Sequence, residues 1–257
     1  MIHPVSDRRF FLPLLAALIA LAWLILGLWG LSPYSRYLSH HSLEAVRGSG
    51  LGLLLLVFMG GWALMIVAMM LPTSLPLVML FDTVVRQRAD RPRLMAALII
   101  GYVTVWMLFG ALVYLGDSIL HAAVDHVAWL EANTWAISAA TLVLAGLYQF
   151  TPLKYLCLDK CRSPFSFIAE HWRGRNALQE TLRLGIYHGL FCLGCCWSLM
   201  LLMFAVGVGN FGWMLLLSSV MATEKNMPWG RRISTPLGLL LILWGLAVTL
   251  RALPGLG

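Results

Sequence analysis

Five cysteines in this sequence lie close together and in regular spacing, an arrangement typical of metal or thiol chemistry. Cys157 and Cys161 occur in the segment CLDKC, whereas Cys192, Cys195 and Cys196 occur in CLGCC. Thiolates are soft ligands that select Cu(I), Zn(II) or iron–sulfur centres over magnesium and calcium. The two clusters therefore predict either a metal site or a thiol-based redox site.

The second cluster predicts a mixed ligand face on one helix. At about 100° per residue, His188, Cys192 and Cys195 lie within roughly 60° of one another, and Met203 falls on the same side. Cys196 lies at the edge of this stripe. Because a histidine inside a membrane helix is costly unless it faces a cavity or a partner, we interpret His188 as part of the ligand set.

The first cluster allows two kinds of chemistry. Cys157 and Cys161 are one helical turn apart, so their sulfurs share a face if a helix continues past Pro152. The neighbouring cations Lys154 and Lys160 favour the thiolate form of both side chains. Thiolates serve metal binding and redox exchange equally, so this feature does not separate the two functions.

Methionines supply a third group of soft ligands. Met65, Met69 and Met70 end an apolar stretch just before Pro72, and the first two share a helix face. In the topology predicted below, all three groups lie at the cytoplasmic end of their spans and can converge at one depth. The predicted metal site comprises five cysteines, one histidine and four methionines: Cys157, Cys161, Cys192, Cys195, Cys196, His188, Met65, Met69, Met70 and Met203.

The composition predicts that a lipid bilayer surrounds these residues. Hydrophobic residues make up 60% of the 257-residue chain, charged residues only 11%, and the mean hydropathy is +0.83. Soluble domains carry about a quarter charged residues, so this chain cannot cover a normal water-facing surface. The composition excludes a disordered chain, a disulfide-stapled secreted module and a nucleic-acid-binding protein. It predicts an all-α, polytopic bundle of transmembrane helices.

The lengths of the apolar stretches predict the number of spans. A spanning helix needs about 20 apolar residues, whereas Leu184–Thr223 would be about 60 Å long as one helix. We therefore predict a tight hairpin at Gly207, Gly209 and Asn210. The result is a single membrane domain over residues 1–257 with about seven spans, six being the alternative. The predicted spans are 10–31, 51–71, 94–116, 132–153, 184–206, 211–227 and 233–250.

Three further segments carry predictions of their own. Leu51–Phe81 contains Pro72 and Pro76, so its span ends or kinks there and the remainder is an interfacial or re-entrant piece. Residues 165–182 are predicted to lie as a helix along the inner surface. Asp117–Glu131, which has no lysine or arginine, is predicted to be an outer loop.

The distribution of positive charge predicts the orientation. With seven spans, all but three of the 18 Lys and Arg residues fall on one side of the membrane, the exceptions being Arg36, Arg47 and Arg251. The positive-inside rule makes that side the cytoplasm and places the N-terminus there. The net charge of +7 is thus a topology signal. We predict a multi-pass protein of the bacterial inner (plasma) membrane.

Three longer segments resemble a known family. They are GGWALMIVAMMLP at 60–72, YQFTPLKYLCLDKCRSP at 148–164 and GLFCLGCCWSLMLLMFAVGVGNFGWM at 189–214. An EK-x-x-P motif at Glu224, Lys225 and Pro228 fits as well, and the two charged residues are expected to pair with each other or with the basic loop. The chain resembles an uncharacterised bacterial family of predicted metal-binding integral membrane proteins. The resemblance implies that the five cysteines are ligands.

These features predict an integral membrane protein that binds a soft transition metal in the cytoplasmic half of its bundle. Cu(I) is the favoured ion and Zn the alternative. The protein would transport the metal or deliver it to a metalloprotein or membrane complex, which is a metal-handling role rather than an enzymatic one. Two alternatives remain open. One is a membrane thiol–disulfide redox protein that uses the same cysteines, and the other is an accessory subunit of a membrane complex.

Overall fold

The computed structural model describes residues 6–31, 51–206 and 210–252, and this part of the chain is helical and contains no β-strand. The all-α class is therefore confirmed for the described residues. A π-helical turn, Ile66–Met70, joins the helices Leu51–Met65 and Leu71–Thr73, and a 3₁₀ turn, Gly230–Ile233, precedes the helix Ser234–Ala252. The helices are α1 (Ser6–Leu31), α2 (Leu51–Met65), α3 (Leu71–Thr73), α4 (Leu75–Val84), α5 (Arg91–His126), α6 (Ala128–Ala132), α7 (Trp135–Tyr148), α8 (Pro152–Arg162), α9 (Pro164–His171), α10 (Ala177–Val206), α11 (Phe211–Asn226) and α12 (Ser234–Ala252).

Four to six segments of the described chain are long and apolar enough to cross a membrane. Four are single helices: Pro13–Gly30, Arg91–Leu120, Ala177–Met203 and Gly230–Ala252. Two more are bent pairs: Phe58–Thr73 with Leu75–Val84, and Trp135–Tyr148 with Pro152–Arg162. The segment predicted as a further span at 211–227 is α11, whose 16 residues are short for a complete crossing. The number of crossings and their direction stay predictions, and the turn residues Gly207 and Gly209 lie outside the described residues.

The break between α3 and α4 bends the chain by 69° where the two prolines predict a kink. Pro76 has no N–H to continue the helical hydrogen bonds of the preceding turn. The carbonyl of Met70 accepts hydrogen bonds from the Thr73 hydroxyl at 2.8 Å and from the Tyr102 hydroxyl at 3.2 Å. Side chains therefore satisfy backbone groups at this break, and they fix its position against α5.

Close packing of α5 against α10 sets the position of the CLGCC segment. A Cβ atom at Gly101 would lie 2.5 Å from the carbonyl oxygen of Leu182, and one at Gly185 would overlap the carbonyl oxygen of Leu98. Small residues at such contacts let two membrane helices approach closely. The approach places Tyr102 of α5 beside Cys192 of α10.

Two predictions for the connecting segments are wrong in detail. The predicted outer loop Asp117–Glu131 is largely helical, because α5 continues to His126 through residues that include neither proline nor glycine. The single surface helix predicted over residues 165–182 is interrupted after α9. Gly174 has φ +75°, and Glu180 accepts its N–H at 2.6 Å, so the chain turns before α10 begins.

Candidate metal centre

Helix α8 carries the first cysteine pair and begins at a well-defined cap. Pro152 is its first residue, and the side chain of Thr151 accepts a hydrogen bond from the N–H of Lys154 at 3.3 Å. The helix of the predicted fourth span therefore does not continue past Pro152, because α7 ends at Tyr148 and α8 begins at Pro152 after a bend of 64°. The new helix still places Cys157 and Cys161 one turn apart on a common face. Cys157 is buried, whereas Cys161, in the last turn, is partly exposed.

The two cysteine segments, distant in sequence, meet where α8 packs on α10. Gly194 makes room for this contact, because a Cβ atom there would lie 2.5 Å from the Cys157 sulfur. One turn further along α8, the Cys161 side chain interacts with the Cys195 thiol. The structure thus brings CLDKC and CLGCC together.

Met70 adds a thioether sulfur to the cysteines of the two segments. The Cys196 sulfur lies 3.8 Å from the Met70 sulfur, at the end of the π-helical turn. Helices α8 and α10 and the π-helical turn therefore each contribute sulfur to one buried region of the bundle. We call the following residues the sulfur cluster: Met70, Cys161, Cys192, Cys195 and Cys196.

The thiols of the sulfur cluster are hydrogen-bonded within the protein. Cys195 and Cys196 donate to the carbonyl of Cys192 at 3.1 and 2.8 Å. Among the described residues, no three His, Cys, Asp or Glu side chains form a preassembled metal site. Rotation of a cysteine to another staggered rotamer would release its sulfur from the carbonyl. The donor set suits a soft metal, which would need that rearrangement to bind.

Lys225 and Tyr102 complete the surroundings of Cys192, and sequence reasoning did not select either of them as a site residue. The buried ammonium of Lys225 donates to the Cys192 sulfur at 2.9 Å and to the Thr73 hydroxyl at 3.1 Å. The Tyr102 hydroxyl lies 3.1 Å from the same sulfur. The sequence does contain one indication for Lys225. It lies at the end of an apolar stretch, where a charged side chain is normally paired and functional.

A second buried polar group lies next to the sulfur cluster. Glu224 accepts hydrogen bonds from Lys154 and Ser234, each at 2.7 Å, and Lys154 also donates to the Gln149 side chain. Glu224 thus pairs with Lys154, at the start of the basic segment, rather than with Lys225. Lys225 instead contacts Cys192. The ion pair ties α8 to α11, the two helices that carry Cys161 and Lys225.

His188 has different neighbours from the cysteines on its helix. Its Nε2 lies 3.1 Å from the Ser74 hydroxyl, and its ring stacks on Tyr102 with centroids 5.5 Å apart. Its Nδ1 has no hydrogen-bond partner within the described part of the chain. His188 lines a small cavity between α4, α5 and α10. Tyr102 therefore contacts both His188 and Cys192. Within the described part of the chain, His188 forms no hydrogen bond with a cysteine sulfur.

The remaining three predicted methionines surround the sulfur cluster. Met65, Met69 and Met203 are buried in the same hydrophobic core as Cys196. Met203 follows Cys196 by about two helical turns, or roughly 10 Å along the axis. The role of these three methionines as ligands stays a prediction.

Comparison with known proteins identifies a family for most of the chain. A family model described as PpoB2, copper chaperone, matches residues 59–248, which include all ten predicted ligands as well as Tyr102 and Lys225. The match agrees with the metal-related character that the resemblance implied. No curated protein matches the chain, and no solved structure does. Since the matched region covers well over half of the sequence, this chain belongs to the PpoB2 copper chaperone family.

Proposed function

We propose that this protein is a membrane-embedded copper chaperone that holds Cu(I) on the buried members of the sulfur cluster, which are Met70, Cys192, Cys195 and Cys196, and delivers it to a metalloprotein or membrane complex. The single observation that carries the proposal is the meeting of α8, α10 and the π-helical turn at buried sulfur atoms. The Cys196 sulfur lies 3.8 Å from the Met70 sulfur, and Cys157 of α8 packs against Gly194 of α10, beside Cys195. The family description independently points to copper.

The chemistry of the donors favours Cu(I) over zinc. Thiolate and thioether together are typical of Cu(I) sites, whereas structural zinc sites use cysteine, alone or with histidine, and do not use methionine. Met70 is the residue that makes this difference, because its sulfur lies 3.8 Å from Cys196. His188 bonds to Ser74 instead of joining the cysteines.

The charge next to the sulfur cluster also favours a monovalent ion. The Lys225 ammonium already lies 2.9 Å from the Cys192 sulfur. Two thiolates that hold Cu(I) form a unit with one net negative charge, which the ammonium stabilises where few water molecules screen it, whereas the same two thiolates around Zn(II) form a neutral unit. The single ammonium therefore favours the monovalent ion.

The surface of the bundle supports a location in a lipid bilayer. Large aliphatic side chains on four helices are highly exposed, among them Leu56, Leu112, Ile119, Leu144 and Leu243, each at 65–71%. Extended exposed apolar surfaces of this kind mark membrane or protein contacts. Placement in the bacterial inner membrane, with the N-terminus in the cytoplasm, is part of the proposal and rests on the distribution of lysine and arginine.

Metal analysis of purified protein tests the proposal. The protein is purified in mild detergent under reducing conditions, supplied with Cu(I) or Zn(II), desalted and analysed for both elements. We expect near-stoichiometric copper in the wild type and almost none in the double variant Cys192→Ser/Cys195→Ser. An unchanged elution volume in size-exclusion chromatography controls for the folding of the variant. Full copper occupancy in the double variant, or none in the wild type, would contradict the proposal.

Thiol counting separates this function from the redox alternative. All five cysteines are free thiols in the structure. A copper chaperone should expose the same number of alkylatable thiols with and without prior reduction, and Cu(I) should protect them. Extra thiols that appear only after reduction would instead support disulfide exchange, because thiols that face the cytosol are normally kept reduced.

A further inference from the structure

Cys161 differs from the other four cysteines in its exposure. Cys157, Cys192, Cys195 and Cys196 are each exposed by 6% or less, whereas Cys161 is partly exposed at the end of α8. A buried thiol can receive a metal ion from a carrier only if the carrier reaches it or another ligand passes the ion on. The exposure therefore distinguishes a position that a carrier can reach from positions that it cannot.

The surroundings of Cys161 indicate that its exposed side faces water. Its neighbour Asp159 pairs with Arg231 at 3.0 Å, and Lys160 pairs with Glu170 at 2.8 Å. These four side chains are 40–54% exposed, and the hydrogen bond from Lys160 lowers the pKa of Glu170 below its usual value. Charged side chains with this exposure do not lie in hydrocarbon. The exposed face of Cys161 therefore lies in the aqueous or headgroup region.

The opposite side of Cys161 packs against the buried thiols of α10. Its thiol interacts with the Cys195 thiol, and Cys195 and Cys196 both donate to the backbone carbonyl of Cys192. The Cys196 sulfur in turn lies 3.8 Å from the Met70 sulfur. Sulfur-bearing side chains thus extend from the surface of the bundle, at Cys161, to its core, at Met70.

We propose that Cys161 is the transfer ligand through which Cu(I) moves between an external thiol carrier and the buried sulfurs. The inference rests on the proposed function. A copper–sulfur bond to Cys161 forms while the bond between copper and the carrier sulfur breaks. The proton of the Cys161 thiol passes to the departing carrier thiolate, and copper remains Cu(I), so no oxidant or reductant is needed. Cys195 then takes the ion from Cys161 by the same kind of exchange.

Loading kinetics test this role. Cu(I) is supplied as its glutathione complex, and protein-bound copper is measured after rapid desalting at successive times. For Cys161→Ser we expect loading to slow by roughly tenfold or more, the scale typical of losing one metal-site contact. Its final occupancy should stay within about twofold of the wild type, since the buried sulfurs remain. Ser166→Ala changes an exposed residue of the neighbouring helix α9, and this control variant should take up copper at the wild-type rate.

Three results of this experiment are decisive. Wild-type loading kinetics in Cys161→Ser would overturn the inference while leaving the proposed function intact. Loss of equilibrium copper binding in a folded Cys161→Ser variant would also overturn it, because Cys161 would then be a permanent ligand. A wild-type protein that takes up no copper would contradict the proposed function itself.

Labelling of the unaltered protein provides a test that does not depend on a variant folding. A hydrophilic maleimide is added for increasing times, and the modified peptides are identified by mass spectrometry. We expect Cys161 to react first and bound Cu(I) to slow its modification, since thiol reactivity follows exposure. Faster labelling of any cysteine of the CLGCC segment would overturn the inference.

Discussion

The ammonium nitrogen of Lys225 lies 2.9 Å from the sulfur of Cys192, and both groups are buried. The same nitrogen donates to Thr73, next to the break that follows the π-helical turn. One side chain from α11 therefore connects the helix that carries three cysteines with the segment that carries Met70. This contact links the architecture of the bundle to the charge of the proposed copper site.

Replacing Lys225 by methionine should weaken Cu(I) binding. A Cu(I) ion held by two thiolates carries a net negative charge, which the nearby ammonium balances in a medium of low dielectric constant. We expect the affinity of Lys225→Met, measured by competition with a Cu(I) chelator, to fall by roughly tenfold. Lys160→Met, which removes an exposed lysine of α8, is the matched control. Equal affinities for Lys225→Met and the wild type would show that the ammonium does not support the bound ion.

Breaking the buried pair of Lys154 and Glu224 should destabilise the bundle. Removing one partner leaves an uncompensated buried charge, so Glu224→Gln should lower the free energy of unfolding by about 3–5 kcal/mol. Unfolding in mixed detergent micelles, followed by circular dichroism, measures the loss. Lys160→Met breaks an exposed pair, which water and salt screen, so it should cost much less. A similar cost for the two variants would mean that the buried pair does not hold α8 against α11.

Replacing Met70 by leucine should separate metal binding from packing. Leucine has a similar volume, so the variant should lose less than about 1.5 kcal/mol of stability. It removes the thioether 3.8 Å from Cys196, so its Cu(I) affinity should fall. Met79→Leu makes the same change at a partly exposed position of α4 and should bind as the wild type does. Identical affinities for both variants would remove Met70 from the ligand set.

Cu(I) binding should weaken as the pH falls. The ligand is the thiolate, free cysteine has a pKa of about 8.5, and each thiol that binds the metal gives up its proton. Protons therefore compete with copper, and the affinity should decrease steadily between about pH 8 and pH 6. Competition titrations with a chelator of known pH dependence measure this. An affinity that is constant over this range would indicate that thioethers, rather than thiols, dominate the site.

The sequence alone predicted the all-α class and the proximity of the segments that carry the cysteines and Met70. Residue spacing places Cys157 and Cys161 on one face of α8, and the proline break places Met70 at a helix end. Helical periodicity specifies rotation about an axis but does not identify the neighbouring helix. For this reason His188 could share a face with Cys192 and still bond to Ser74 on a different segment.

The residues that sequence reasoning missed depend on contacts between distant segments. Tyr102 reaches Cys192 only because glycines let α5 and α10 approach closely. Lys225 follows Glu224 directly, and their side chains still join different clusters. These contacts depend on how several helices pack together, and residue spacing within one helix does not predict that packing.

Copper K-edge X-ray absorption spectroscopy of the Cu(I)-loaded protein in detergent tests the proposed site most directly. We expect sulfur atoms to be the nearest neighbours of copper, without the multiple-scattering features of imidazole. We also expect the variant Cys192→Ser/Cys195→Ser to lose this signal. A wild-type spectrum dominated by nitrogen or oxygen ligands would contradict the central claim that the sulfur cluster holds the copper.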